Sequence, residues 1–236
     1  MKPAEKSSVA EIRRRFDADV ERFSNLATGQ AATVDALTGL QLVARTAAAA
    51  TPGAGEVLDL GCGAGNYSLK LREFLPAARF TLVDLSRPML DRAAERLGPS
   101  VRETVAGDLR EVDFPPGRFD VILAAAVFHH LRTPAEWERT FAACHRWLRP
   151  GGGLWIFDLV AHEVPAVQDL MRADYARYLE EQGGEDYRAK VFAYVEREDT
   201  PASLTYQLGL LARAGFTGID VLHKRSCFAA FGGIRG

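Results

Sequence analysis

Three glycines at every second position, Gly61, Gly63 and Gly65, follow an aliphatic run containing Asp59, in the stretch LDLGCGAGNYS at 58–68. Such a turn after a strand lets the backbone approach a ligand closely, and the usual ligand is a nucleotide. The dinucleotide fingerprint G-x-G-x-x-G does not fit: its sixth position falls on Asn66 counted from Gly61 and on Ser68 counted from Gly63. No Gly-Lys-Ser/Thr follows, so the Walker phosphate loop fails too. Two more acids end later apolar runs, Asp84 in LVDLS and Asp108 in AGDLRE. Adjacent histidines, His129 and His130, close another run, FDVILAAAVFHHL. A histidine there can serve as a base near neutral pH. Two neighbouring histidines are not a metal site, and no third ligand is near in sequence, so no metal is expected.

The elements that must position these groups alternate. EVLDL, RFTLVDL, VRETVAG, FDVILAAA and GGLWIFDL read as strands, with helical patterns between them. The near-continuous apolar character of the fourth suits a strand buried on both faces. This alternation predicts an α/β, doubly wound, mostly parallel sheet. Near the end, TGIDVLHK and SCFAAFGG are separated by too few residues for a parallel crossover. The sheet should therefore have seven strands and a terminal antiparallel pair. Ahead of the first strand, Ser8 and Glu11 form a capping box for a helix through Phe23, with Ile12, Phe16, Val20 and Phe23 at helical spacing. A second helix is expected over 32–50. The chain thus divides into an N-terminal helical lid, 1–55, and a core, 56–236, with a helical insertion at 163–200.

Taken in order, VLDLGCGAGNYS, LVDLS, AGDLRE, FDVILAAAVFHHL and RPGGGLWIFD resemble the class I S-adenosylmethionine-dependent methyltransferases, over roughly 56–158 and the last two strands. The resemblance implies a Rossmann-like methyltransferase fold, S-adenosyl-L-methionine as cofactor and methyl transfer to a small molecule. It places Asp84 on both ribose hydroxyls and Asp108 on the adenine amino group. A carboxylate suits a diol because both bonds are charge-assisted. Asp59 should meet the loop backbone or the cofactor's ammonium. Gly61, Gly63 and Gly65 let the loop approach, Cys62 packs within it, and Leu85, Gly107, Leu109, Ala124 and Ala125 complete the cofactor's surroundings. Met89 packs beside the adenine or in the core.

The methyl donor brings its own electrophile, so the protein mainly aligns the reactants for in-line attack. A base is needed only if the acceptor loses a proton. His130 and His129 are the candidates; the family also uses HHL at this place as a structural or cofactor-packing feature. The Asn/Asp-Pro-Pro-Tyr/Phe motif of enzymes that methylate nucleic-acid bases and glutamine amides is not found after the fourth strand. Acceptor contacts are expected from Tyr175, Tyr178, Tyr187 and Arg188 in the insertion, with Asn25 and Gln30 on the other side.

Bulk properties fit a single α/β domain with insertions. The chain has 236 residues, 47% of them hydrophobic, and a net charge of −2, which does not ask for a polyanion partner. Three widely spaced cysteines without a CxxC pair suggest a reduced, cytoplasmic protein. Neither a signal peptide nor a membrane span is expected, and the assembly should be a monomer or homodimer. Two other readings stay open: a synthase of a carboxylated cofactor for tRNA modification, which has a similar layout with an arginine after Tyr187, and a non-catalytic cofactor-binding protein.

Overall fold

The computed structural model describes residues 6–236. The helices α1 (Val9–Ala18), α2 (Val20–Ser24), α3 (Leu26–Gly29) and α4 (Ala36–Ala50) precede β1 (Glu56–Leu60). Then come α5 (Asn66–Phe74), β2 (Arg79–Asp84), α6 (Arg87–Leu97), β3 (Val101–Ala106), β4 (Phe119–Ala125), α7 (Pro134–Trp147) and β5 (Leu148–Leu159). The chain closes with α8 (Pro165–Glu198), α9 (Leu204–Ala214), β6 (Phe216–Arg225) and β7 (Phe228–Arg235). The strand order is β3-β2-β1-β4-β5-β7-β6. All neighbours are parallel except β7, which runs antiparallel to β5 and β6. This is the expected seven-stranded doubly wound sheet with an antiparallel end.

Strand alternation divides the core. Val57, Leu82, Leu123 and Phe157 face α4, α5, α6 and α8, while Leu58, Leu60, Ile122 and Ile156 face α7 and α9. Strand order reverses between β1 and β4, so a crevice opens at their carboxyl ends, which is where ligands bind in such sheets. Asp120 pins the start of β1 to β4, its Oδ2 accepting the N–H groups of Gly55 and Glu56 at 2.9 and 2.8 Å. Among the described residues no helix is long and apolar enough to cross a membrane.

The N-terminal helices differ from expectation in one way that matters. The capping box forms: Ser8 Oγ accepts from the Glu11 N–H at 3.3 Å, and Glu11 Oε2 accepts from the Ser8 N–H at 2.7 Å. The helix nevertheless ends at Ala18, because Asp19 leaves the helical region (φ −112°, ψ 13°). The break lets α1 and α2 follow the mouth of the crevice instead of running straight past it. The helix expected from residue 32 begins only at Ala36, after Asp35 takes a left-handed conformation with φ 54°. Within 163–200, α8 is interrupted at Gly183 and Gly184, the latter with φ 79°.

Helix α4 packs directly on the sheet. A Cβ at Gly39 would lie 2.6 Å from ring carbons of Phe157. We expect Gly39→Ala to lower stability by about 1–3 kcal/mol, the cost of overpacking a filled core. The midpoint of urea unfolding checks this; an unchanged midpoint would mean that α4 can lift off β5.

Candidate functional site

The glycine loop leaves β1 with left-handed backbone at Gly61, Gly63 and Gly65 (φ 67°, 51° and 82°). Any L-residue is strained there. Gly61 and Gly65 also have no room for a side chain, whereas Gly63 has open space. A Cβ at Gly61 would clash with the Val127 side chain, so the loop touches the segment after β4. A Cβ at Gly63 would meet nothing within 4 Å, because Gly63 faces a cavity.

Asp84 organises this region. Its Oδ2 accepts the Gly63 N–H and its Oδ1 the Ser86 N–H, each at 2.8 Å, while its backbone carbonyl accepts the Gly107 N–H at 3.0 Å. Burial pushes its carboxyl up to about 6 against the pull of these N–H groups. Asp59, fully buried behind the loop, accepts from Ser68 Oγ at 2.6 Å, and burial pushes it up to about 7. Asp108 behaves differently. Burial pushes its carboxyl upward, but bonds from the Arg110 side chain and N–H hold it below its ordinary value.

The cavity lies over the carboxyl ends of β1, β2 and β4. Of the residues singled out from the sequence, Asp59, Gly61, Cys62, Gly63, Asp84, Leu85, Met89, Gly107, Asp108, Leu109, Ala125 and His130 line it, as does Gln30. Gly65 instead starts α5, tight against Ala93 of α6, and Ala124 is sealed in the core beside α7. The residues expected to contact the acceptor lie elsewhere. Tyr175 and Tyr178 donate their hydroxyls to the carbonyls of Ala32 and Thr33, at 2.7 and 3.2 Å. Tyr187 packs under Gly183 at the break in α8, and Arg188 pairs with Glu180 across it. None of these four lines the cavity; they fasten α8 to the loop before α4 and to itself. The roof is made by Ile12, Phe16 and Phe23. Their helical spacing is visible in the sequence and falls within the expected N-terminal lid. Asn25 is not among the lining residues.

Helices α1 and α2 are held down, α1 on both sides. Ser86 Oγ donates to Asp17 at 2.5 Å, and Asn66 Nδ2 to the carbonyl of Phe23 at 2.9 Å. On the other side Arg15 pairs with Glu198 at 2.9 Å, donates to Tyr194 Oη at 2.6 Å, and lies over the Phe16 and Tyr194 rings.

The histidines sit on a 3-10 turn, Phe128–His130, built around Asp158 at the end of β5. Asp158 Oδ2 accepts the N–H groups of Phe128, Val127 and His129 at 2.8, 3.3 and 3.3 Å, and Oδ1 bonds His129 Nδ1 and the Leu159 N–H. The preceding Ala126 takes φ 51°, strain that this network maintains. His129 lies behind His130, away from the cavity. Burial pulls its pKa down, but Asp158 and Asp199 outweigh that and raise it to about 9. For His130, burial and then the His129 charge hold the ring well below its ordinary range, so it is neutral. Asp199, a residue the sequence did not single out, follows α8; burial pushes it up to about 6 although the His129 charge opposes this. His129, His130 and Asp199 offer ligand atoms within 4.8 Å of one another, so the fold brings up the third group that was lacking in sequence.

These shifts make a prediction about stability. Asp59, Asp84, Asp199 and His129 all titrate higher folded than unfolded. Each therefore favours folding fully below its unfolded pKa, and loses that contribution as pH rises through its folded value. Asp108 and Asp120, held low, lose theirs at the acid end. His130, His145 and His162, held low, lose theirs as pH falls below the ordinary histidine range and so offset the acids there. Above that range His129 decides, and stability should fall from about pH 7 toward about pH 9. Urea midpoints across that window check it; a rise over it would contradict this.

Residues 57–152 match the family model of a methyltransferase domain. The malonyl-[acyl-carrier protein] O-methyltransferase of Geobacter sulfurreducens is 30% identical over 171 residues, covering 71% of this chain and 58% of that protein. The carboxy-S-adenosyl-L-methionine synthase of a Shewanella species is 25% identical, covering 76% of each chain. In structure the chain is similar to the Burkholderia thailandensis 1,6-didemethyltoxoflavin-N1-methyltransferase, solved with 1,6-didemethyltoxoflavin and S-adenosylhomocysteine. The TM-score is 0.63 at 20% identity, with 97% of this chain and 90% of that one covered. The chain spans a little over half the length of several curated relatives that it matches, 58% in the first two.

Proposed function

We propose that the chain, whose residues 57–152 match a methyltransferase domain, is a class I S-adenosylmethionine-dependent methyltransferase that transfers the cofactor's methyl group to a small, largely apolar acceptor. The observation that carries this reading is the joining of Gly63 and Asp84 at the cavity floor. The Asp84 carboxylate takes the Gly63 N–H on one oxygen and the Ser86 N–H on the other, with a further pull from that of Leu85, and its remaining acceptor capacity suits a ribose diol. Beside it, the open space at Gly63 is a cradle that a Cβ would fill. Leu85, Met89 and Leu109 would flank the adenine. Asp108 would meet its amino group with whatever acceptor capacity Arg110 leaves. Asp59 would stiffen the loop through Ser68.

When bound, the cofactor supplies an electrophilic methyl group on sulfur. The chain's part is alignment and exclusion of water. Phe16, Phe23 and Ile12 would cover the acceptor, and His130 would accept its proton if it has one to lose. Helices α1–α3 would then act as a lid. The cavity holds about 180 Å³, below the roughly 300 Å³ where small-molecule sites begin. Entry of a nucleoside therefore requires these helices to withdraw, with Asp17–Ser86 and Arg15–Glu198 as the latches. The apolar roof and the net charge of −2 favour a small molecule over nucleic acid.

The carboxylated-cofactor reading draws on the relative matched over 76% of both chains. It requires a cation in the site: Arg188, the arginine noted in the sequence, is paired with Glu180 outside the cavity, whereas Arg110, bound to Asp108, and Arg132 line it. Incubation with methyl-tritiated S-adenosylmethionine and a panel of apolar hydroxyl, amine and carboxylate acceptors tests the main reading. Labelled product together with S-adenosylhomocysteine is expected. Tight cofactor binding with no transfer to any class would favour a non-catalytic role.

A further inference from the structure

Asp199 comes to the histidines from a distant part of the chain. The Thr200 N–H donates to the His129 carbonyl at 2.7 Å, which fixes the end of α8 against the 3-10 turn. Asp199 Oδ1 then lies 3.4 Å from His130 Nδ1 and 3.7 Å from His129 Nε2. Asp199 Oδ1 and His130 Nδ1 are both buried, and neither has another hydrogen-bond partner. Leaving two such atoms unpaired is costly, and a small closure into one hydrogen bond satisfies both.

We propose that Asp199 is the positioning residue for His130: its carboxylate accepts the Nδ1 proton and so leaves Nε2 unprotonated toward the cavity. The base role of His130 rests on the methyltransferase reading above; the tautomer does not. The pairing also narrows the acceptor to one whose attacking atom must lose a proton, a hydroxyl on an apolar or aromatic scaffold. The acceptor's O–H proton moves to His130 Nε2. The oxygen lone pair forms the new carbon–oxygen bond, and the carbon–sulfur pair returns to sulfur. The imidazolium left behind is held by Asp199 until it loses its proton to water. A scaffold of this kind matches the surroundings, since Phe16 meets His130 edge-on at 6.1 Å.

The groups around His130 agree with this assignment. Arg15 from α1, Arg132 and His129 all disfavour its cation, and burial does so most. Asp158 acts on it only through His129; the Glu198 carboxylate is taken by Arg15, while the Glu198 backbone carbonyl is a second acceptor near the ring and favours the cation. His130 is thus neutral, and the pair needs Asp199 ionised, which happens above about 6.

The test needs no acceptor. Long-range proton–nitrogen correlation on the full chain labelled with ¹⁵N-histidine, at neutral pH, reports the tautomer of each ring. The signal lost in His130→Gln is expected to be a neutral Nδ1–H ring. In Asp199→Asn it should shift to the Nε2–H form or to a mixture, because the amide can donate to Nδ1, and Asp199→Glu should restore it. A purely structural role would change stability and leave the tautomer as it was. An Nε2–H ring in the unaltered protein overturns the proposal, even if the Asp199 variants do not fold. So does a tautomer insensitive to Asp199→Asn. One equivalent of transition metal in the purified protein, lost in Asp199→Ala, would also overturn it and make the three residues ligands. If cofactor binding fails while the tautomer behaves as expected, it is the methyltransferase reading that falls.

Discussion

Asp84→Ala should weaken binding of S-adenosylhomocysteine by about 1.5–3 kcal/mol, roughly 10- to 150-fold, the scale of hydrogen bonds to a charged group. The carboxylate has two duties in this account. It would accept both ribose hydroxyls, and it already holds the Gly63 and Ser86 N–H groups that shape the surrounding loops. Removing it loses the ligand contacts and loosens the loop together, so the upper part of the range is expected. Protonation should act in the same direction. With the carboxyl pushed up to about 6, affinity in the unaltered protein should fall as pH drops through that value. Calorimetric titration checks both. Unchanged affinity in Asp84→Ala would remove Asp84 from the cofactor site.

Asp158→Ala should lower stability by about 3–5 kcal/mol, the cost of breaking a buried ion pair from one side. The His129 charge would lose its main partner inside the protein. Four N–H groups, from Val127, Phe128, His129 and Leu159, would lose an acceptor at the same time. Asp158→Asn keeps an oxygen for the backbone and should cost less. Denaturant titration gives the sizes and their order. A loss below about 1 kcal/mol, the scale of an exposed pair, would show that the turn holds without Asp158.

What the sequence discloses here is mostly local. Strand periodicity and the two residues between β6 and β7 were enough for the sheet and its antiparallel end. The glycines and the two strand-end acids marked the floor of the cavity because each is tied to one strand's exit. Its walls depend on how separate elements dock, which no local pattern records. Tyr175 and Tyr178 looked like acceptor contacts until Ala32 and Thr33 proved to take their hydroxyls. Phe16 and Phe23 fell within the expected N-terminal lid, but their place over the crevice depends on the break at Asp19, which the sequence did not show. Asp199 carried no signal at all beyond being an acid after a long helix. Only the pinning of Thr200 to His129 makes it a neighbour of the histidines.

Native mass spectrometry of the purified protein, before and after adding S-adenosylmethionine, tests the central claim most directly. One cofactor per chain is expected, with released ligand identified as S-adenosylmethionine or S-adenosylhomocysteine. A ligand heavier by a carboxylate would turn the site toward the carboxylated-cofactor reading. A chain that is empty and stays empty with added cofactor would contradict the account, whatever the glycine loop and Asp84 suggest.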